Sequence, residues 1–291
     1  MKLDRYSLKE RLKIPLMVFP SMAVIVLLFG GGLIFGLLQS VGYLPVAGLT
    51  DFTFSHYVNV LTDPTFLLSL WITFRIAFVV TLLSTVIAVG MAFVLREQFP
   101  GSRISTFVFQ IPLPVPHLVA ASAVILLFAQ SGLISRVAVA MGFIDAPSGF
   151  PVLINDKLGV GITLSFVWKE VPFIGLVVLA VLQSVGPKYE ELARTLGANK
   201  RQRLQYVLLP LIMPGLLSTW IIVFAFTFAN FEIPLLLGQT FPQTLPVQAF
   251  QEFQKPELTS RPIGMAIATV IAAITIVLLV AYRRLARYSR A

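Results

Sequence analysis

The sequence contains no cysteine, only two histidines and few charged residues, which make up 12% of its 291 positions. Without cysteine the chain forms no disulfide, thiolate metal site or cysteine nucleophile. His56 and His117 alone leave little for a transition metal, so no metal site is expected. Soluble domains carry about 25% charged residues. Because 57% of the residues are hydrophobic and the mean hydropathy is +0.88, too little polar surface remains to cover a soluble core, and disorder is also excluded.

Six apolar stretches fill most of the chain. Each has at least about 20 residues, which an α-helix needs to cross about 30 Å of hydrocarbon, and none alternates as a β-barrel strand does. The first stretch is too long for the apolar part of a signal peptide, so it is interpreted as a spanning helix. The sequence therefore predicts an all-α, polytopic membrane protein with six transmembrane helices, at residues 16–38, 70–95, 104–129, 160–183, 211–237 and 263–282.

Basic residues are distributed unevenly between the two sides of these helices. Sixteen of the 22 Lys and Arg residues fall in the two tails, the loop between helices 2 and 3 and the loop between helices 4 and 5, whereas four fall on the other side. By the positive-inside rule, both termini are predicted to be cytoplasmic. Topology thus explains the net charge of +9, with anionic lipid as a secondary contact and no nucleic acid as a partner.

The connecting segments on the less basic side are the longer ones, at residues 39–69, 131–158 and 238–262. They contain most of the proline and glycine residues typical of turns. Two interpretations remain open. These segments either form an outer surface on which another protein docks, or they merely connect helices.

The loop between helices 4 and 5 differs from the others, and we call residues 184–210 the elbow. Its sequence, SVGPKYEELARTLGANKRQRLQYVLLP, predicts a short helix that begins near Pro187, a turn at Gly197 and a second short helix that Pro210 ends. Leucines recur at helical spacing and are expected to anchor the elbow to the helix bundle. A simple connection needs only a few residues, so this ordered elbow indicates a docking surface.

The elbow also carries a motif. Glu191, Ala193, Gly197 and, after nine further residues, Val207-x-Leu209-Pro210 resemble the EAA motif of ATP-binding-cassette (ABC) importer permeases, E-A-A-x3-G-x9-I-x-L-P. Leu192 and Val207 depart from it by mild apolar changes. The resemblance implies a type I importer permease fold with five helices over residues 66–283. Residues 1–65 would add a cytoplasmic tail, a first helix and an external loop, and residues 284–291 a basic cytoplasmic tail.

In that family the elbow is a cytoplasmic coupling helix that sits in a cleft of a separate ATPase. The resemblance therefore implies an ABC ATPase dimer, a second homologous permease (a different chain rather than an identical one) and an external or periplasmic solute-binding protein as partners. ATP and Mg would be bound by the ATPase, and the chain itself, which contains no G-x4-G-K-[ST] loop, would be neither an enzyme nor a cofactor protein. The alternative is an amphipathic helix that only lies on the membrane. The predicted ATPase-coupling residues are Glu190, Glu191, Ala193, Gly197, Ala198, Leu209 and Pro210.

Polar side chains within the apolar stretches are the candidates for a translocation pathway, because each is costly when it faces lipid. For Lys169 and Glu170 a structural ion network is an equal alternative, and His117 is also interpretable as a partnered structural histidine. Glu232 either attracts a cation or pairs with an external lysine. Three prolines at positions 112, 114 and 116 are expected to break the third helix beside a cavity. Arg75 is expected to reach outward to the membrane surface. The candidate pathway residues are His117, Lys169, Glu170, Asn230, Phe231 and Glu232.

The segments FEIPLLLG at 231–238, WKEVPF at 168–173 and PLPVPH at 112–117 resemble the spermidine/putrescine branch of these permeases. The resemblance implies a polyamine or related organic cation as substrate, with iron, thiamine or phosphonate as alternatives. It also implies location in a bacterial inner membrane. A secondary transporter or channel is the competing class, but it requires a coupling-ion site and usually inverted repeats.

Overall fold

The computed structural model describes residues 8–97, 99–184 and 186–288, and the predicted tail residues Lys2, Arg5 and Arg290 lie outside these ranges. The described chain is almost entirely helical, with one isolated bridge between Leu44 and Leu49. The helices are α1 (Leu8–Val24), α2 (Gly31–Ser40), α3 (Ser55–Thr62), α4 (Pro64–Leu95), α5 (Ser102–Gln110), α6 (His117–Phe128), α7 (Leu133–Ala140), α8 (Val160–Ser184), α9 (Gly186–Thr195), α10 (Lys200–Arg203), α11 (Leu209–Ala229), α12 (Glu232–Leu237), α13 (Leu245–Gln254) and α14 (Arg261–Tyr288). Short 3-10 turns lie at Pro45–Ala47, Pro147–Gly149 and Leu258–Ser260, and π turns at Ile25–Gly30 and Leu204–Leu208.

Six helical segments of the described chain are long and apolar enough to cross a membrane, which confirms the all-α, six-span prediction. The first is the least buried within the chain and the fourth is the most buried. The spans are Pro15–Ser40, Pro64–Leu95, His117–Ala140, Val160–Ser184, Lys200–Ala229 and Leu258–Tyr282.

The second span begins at Pro64, six residues before the predicted start. The Oδ1 atom of Asp63 accepts a hydrogen bond from the backbone N–H of Thr65 at 2.8 Å, and Pro64 occupies the first turn. The Asp-Pro pair had the composition of a loop, but the same pair is also a favourable helix start, because proline needs no N–H donor there.

The third span was predicted wrongly as one helix over residues 104–129. The predicted proline break is present, and it separates α5 from α6 at residues 111–116. The third span is instead His117–Ala140. Proline lacks a backbone N–H and clashes with the preceding helical turn, so three prolines at alternate positions leave α5 as a separate helix.

The fifth span was also placed wrongly at residues 211–237. Helical structure runs without a break from Lys200 to Ala229, so Pro210 does not end the second elbow helix. A π turn at Leu204–Leu208 precedes Pro210, and its wider hydrogen-bond spacing accommodates a residue without an N–H. The break comes instead at Asn230, which is extended, and the short helix α12 follows.

Helix α8 is central to the core. Its most extensive contacts are with α4, and it also packs on α6 and α11. Towards the elbow, small residues of α4 allow close packing of the α8 side chains Ile174, Val178 and Leu182. At the opposite end, α8 packs with α4, α6 and α12 around Phe166. The charged residues Lys169 and Glu170, near the middle of α8, therefore lie inside the bundle.

Candidate functional site

The elbow has the predicted helix–turn–helix form. Gly197 ends α9 with a left-handed φ of +82°, and its N–H donates to the carbonyl of Arg194 at 3.0 Å. The N–H of Ala198 donates to the carbonyl of Ala193 at 3.0 Å. These two bonds form a Schellman motif, which favours glycine because other residues are strained at positive φ.

The second elbow helix begins with a capping box that the sequence analysis missed. The Asn199 side chain accepts from the N–H of Gln202, and the Gln202 side chain accepts from the N–H of Asn199, each at 2.9 Å. The spacing Asn-x-x-Gln was the signal that would have revealed it. The cap fixes the direction in which the chain leaves the Gly197 turn and enters the fifth span.

The elbow leucines were expected to anchor it to the bundle, and for two of them this is wrong. Leu192 is 59% exposed and Leu196 is 81% exposed, and Tyr189 on the same helix is also exposed. Beyond the turn, Leu208 is buried, and Leu209 packs partly against the same core cluster, whereas Pro210 is exposed. The elbow therefore presents an apolar face away from its own bundle.

Gly197 lies on this exposed part of the elbow. A Cβ atom added to it would meet no atom of this chain within 4 Å, so the glycine is required here by its φ angle and not by internal packing. Ala193 and Ala198 are half-buried beside it. A backbone with open space over it permits close approach of another molecule.

The two adjacent glutamates of α9 have different environments. Glu191 is exposed. The Glu190 carboxylate instead accepts two hydrogen bonds from the Arg96 guanidinium, at 2.9 and 3.4 Å, and lies 3.4 Å from Nε of Arg203. The Arg96 guanidinium also lies over the ring of Phe93, 5.3 Å from its centroid. The structure therefore separates the two predicted coupling residues, since Glu190 pairs inside the chain and Glu191 projects from it.

The ammonium of Lys169 binds the proline-rich turn between α5 and α6. It donates to the backbone carbonyls of Pro112 at 2.7 Å and Leu113 at 3.2 Å, and also to that of Val115. In a regular helix the carbonyl of residue 112 would accept from the N–H of residue 116, but Pro116 has none. Lysine has three donors, so its hydrogen-bonding capacity is filled by these carbonyls. We call the contacts of the Lys169 ammonium with the carbonyls of Pro112, Leu113 and Val115 the Lys169 clamp.

His117 and Glu170 lie beside the Lys169 clamp. Nε2 of His117 is 4.0 Å from Oε1 of Glu170, and the His117 ring packs on Phe226 with centroids 5.0 Å apart. Glu232 begins α12, which packs on α6 and α8. Of the six predicted pathway residues, the structure thus brings His117, Lys169, Glu170 and Glu232 to one region.

The other two predicted pathway residues have structural contacts. The Oδ1 atom of Asn230 accepts from the N–H of Ile233 at 3.3 Å and so caps α12. Phe231 stacks on Phe250 of α13, with ring centroids 4.5 Å apart. Among the described residues, no group of three His, Asp or Glu side chains is arranged to hold a metal ion.

Arg75 is attached at the end of the bundle opposite the elbow. Its guanidinium donates to the carbonyls of Lys157 and Leu158, each at 3.1 Å. The side chain therefore ends on a connecting segment of this chain, whereas it was expected to reach the membrane surface. Nearby, the hydroxyl of Thr73 accepts from the N–H of Leu245 at 2.8 Å and joins α4 to α13. These links were not predicted, because their acceptors and donors are backbone groups far away in sequence.

Comparison with known proteins places the chain among transport proteins. Residues 84–290 match the family described as "Binding-protein-dependent transport system inner membrane component". The chain is 27% identical over 236 residues to the sulfate transport system permease protein CysT of Salmonella typhimurium, covering 80% of this chain and 81% of the relative. It is 30% identical over 229 residues to the sulfate transport system permease protein CysW of Synechocystis sp., covering 76% and 78%.

Similarity in three dimensions extends further along the chain. A solved bacterial ABC transporter involved in the import of the acidic polysaccharide alginate superposes with a TM-score of 0.81, covering 96% of both chains. The sequence identity in this comparison is 17%, so the likeness concerns the fold.

Proposed function

Because this chain belongs to the family of binding-protein-dependent transport system inner membrane components, we propose that it forms half of the translocation pathway of an ATP-driven importer. It is a multi-pass membrane protein with the fold of type I ABC importer permeases. The observation that carries the proposal is the elbow, whose apolar side chains Leu192 and Leu196 and whose carboxylate Glu191 are exposed and have no role in packing the bundle.

The exposed elbow face is proposed to bind an ABC ATPase dimer, which would hold ATP and Mg. Apolar side chains left exposed together are typical of protein interfaces, and Gly197 leaves its backbone open to a partner. Ala193 and Ala198 border the same surface. The buried Leu208 and the half-buried Leu209 would transmit a displacement of the elbow to the fifth span, with which the elbow is continuous.

Two further partners are proposed. A second permease would complete the pathway, and relatives with two distinct names, CysT and CysW, favour a different chain over an identical one. An external or periplasmic solute-binding protein would deliver the substrate, in keeping with the description of the family. The connecting segments that contain α3 and α13, together with residues 141–158, are proposed as its docking surface.

The proposed orientation places the elbow and both termini in the cytoplasm of a bacterial cell, with the protein in the inner membrane. The basic residues of the elbow and of the tails support it. Residues 66–283 would form the permease domain, between a first helix at residues 1–65 and a basic tail at residues 284–291.

Single cysteines introduced into residues 238–262 should react from outside, and those in residues 188–203 only after permeabilisation. Reversed labelling would contradict the orientation.

The substrate is proposed to be a small charged solute, and an organic cation such as a polyamine is the first candidate. The carbonyls of the proline turn hold the ammonium of Lys169 in place, and the two carboxylates proposed to attract a cation are Glu232, which is half-buried, and Glu170, which is buried beside Lys169. Relatives named for sulfate transport favour an oxyanion as the second candidate. Iron, thiamine and phosphonate remain alternatives from the sequence resemblance.

Co-purification tests the proposed function. The chain carrying an affinity tag should capture an ATPase and a second permease, and Leu196→Asp should abolish capture of the ATPase because it places a charge on the exposed elbow face. Val46→Asp is the matched control, since Val46 is also exposed, at 84%, but lies far from the elbow. Failure of the parent chain to capture an ATPase would instead favour a secondary transporter or channel.

Uptake into vesicles that contain the captured complex then separates the substrate classes. Spermidine and sulfate, each supplied with the matching solute-binding protein, are the two probes. Uptake of spermidine alone would support the cation, and uptake of sulfate alone would overturn it in favour of the oxyanion.

A further inference from the structure

We propose that Arg96, Glu190 and Arg203 form a strut that joins the elbow to the end of the second span and stays closed throughout the transport cycle. The strut would make α4 move with the elbow, in addition to the fourth and fifth spans with which the elbow is continuous. This inference rests on the proposed function of the elbow and assigns a positioning role to three residues outside the partner surface.

The geometry of the strut supports a stable connection. Both oxygens of the Glu190 carboxylate are engaged, because Arg96 donates to each of them and Arg203 approaches one from the second elbow helix. The three side chains are 16–24% exposed, so they are partly buried. Removal of Glu190 would leave both guanidinium groups without their shared carboxylate, which is unfavourable. One carboxylate therefore holds both short helices of the elbow to α4.

Two clefts adjoin the strut. One, of about 1090 Å³, is lined by Arg96, Glu190, Arg103 and Gln183. The other, of about 610 Å³, is lined by Arg96, Glu190, Phe93, Lys200 and Arg203. Leu208 and Leu209 of the elbow pack in the same core cluster as Ala92 and Leu95 of α4. The strut therefore adds a charged connection between α9 and the end of α4 to this apolar packing.

Helix α4 is well suited to carry a displacement. It runs for 32 residues from Pro64 to Leu95, about 48 Å at 1.5 Å per residue, and its only proline is at the first turn. The two spans continuous with the elbow are less regular, because α8 contains Pro172 and α11 contains Pro214 after a π turn. Arg75, eleven residues after Pro64, links α4 to the connecting segment opposite the elbow through its contacts with residues 157 and 158. A movement of the elbow applied at Arg96 can therefore be carried along α4 to this segment.

Charge-removing variants provide the first experiment. In reconstituted complexes with the ATPase, Arg96→Gln and Glu190→Gln should still capture the ATPase. The amount of spermidine or sulfate (whichever the parent complex takes up) imported per ATP hydrolysed should fall by about 10-fold, within the 5–150-fold range typical of coupling between sites. Arg103→Gln is the matched control, because Arg103 lines the same cleft but is exposed and outside the strut, and it should retain parental coupling. Glu191→Gln should differ from both by weakening capture of the ATPase itself.

Cross-linking provides the second experiment and separates positioning from folding. The chain contains no cysteine, so the double variant Arg96→Cys with Glu190→Cys can be joined specifically by a short bifunctional thiol reagent. The unlinked variant should be uncoupled, and the cross-link should restore import per ATP, which a role limited to folding would not produce. Each single-cysteine variant treated with the same reagent is the control.

Several outcomes would contradict the proposal in distinguishable ways. Parental coupling in both Arg96→Gln and Glu190→Gln would overturn the strut and leave the proposed function intact. A cross-linked chain that captures the ATPase but does not import solute would overturn the claim that the strut stays closed. Failure of the parent chain to capture any ATPase would overturn the proposed function itself.

Discussion

Replacement of Lys169 by methionine tests whether its ammonium stabilises the proline-rich turn between α5 and α6. The substitution keeps a long apolar side chain but removes the ammonium that binds the carbonyls of Pro112, Leu113 and Val115. Hydrogen bonds from a charged donor contribute about 1.5–3 kcal/mol each, but desolvation of the ammonium offsets much of their sum. The substitution also leaves the buried carbonyls without this donor, at about 1–3 kcal/mol each, so for the three together, after the offset, we expect a loss of stability of about 3–5 kcal/mol.

Thermal unfolding in detergent, followed by tryptophan fluorescence, measures this loss. At roughly 2–4 °C per kcal/mol for a chain of this size, Lys169→Met should lower the melting temperature by roughly 6–20 °C. Lys157→Met is the matched control, because the Lys157 side chain is exposed, and it should change stability by no more than about 0.5 kcal/mol. Equal melting temperatures for the two variants would refute the assignment of Lys169 as the clamp of the proline turn.

Three further predictions concern the elbow, the charged region and the outer end of the bundle. Gly197→Val should insert normally but abolish solute uptake, because a β-branched residue at a φ of +82° costs about 1–3 kcal/mol and changes the direction of the elbow; normal uptake would contradict the coupling role. Glu170→Gln and Glu232→Gln should reduce cation uptake while capture of the ATPase is retained; loss of capture or of melting temperature would identify them as structural partners instead. Gly264→Ala should lower stability by about 1–3 kcal/mol, because the new Cβ would lie 2.8 Å from a backbone oxygen of α13, whereas Gly90→Ala, with open space around the new atom, should be neutral or stabilising in the same melting assay.

The number of spans could be predicted from the sequence, but their ends could not. Hydropathy identifies six spans because an α-helix needs about 20 apolar residues to cross a bilayer. The second span starts at Pro64 because Asp63 caps it. Since Asp63 is polar, the sequence pattern predicts a loop at this position. The continuity of the helix through Pro210 depends on a π turn, which no residue pattern in the segment indicates.

The elbow could be predicted because its signals are local. Pro187, Gly197 and the basic residues act within a turn or two of their own positions, and the structure contains the helices and the turn that they favour. The different environments of Glu190 and Glu191 could not be predicted, because adjacent helical residues point about 100° apart and the sequence does not specify which of them faces Arg96. The Lys169 contacts were equally hidden, since their acceptors are backbone carbonyls more than 50 residues away.

The two parts of the Lys169 clamp are synthesised at different times. The lysine is 57 residues downstream of Pro112, so at about 5–20 residues per second the ribosome adds it roughly 3–11 s after the turn has been made. During that interval the turn lacks the ammonium donor, although the Pro112 carbonyl still accepts from the N–H of Val115. Hydrocarbon disfavours backbone carbonyls without a donor, so we expect the α5–α6 segment to take its final position only after α8 has been made.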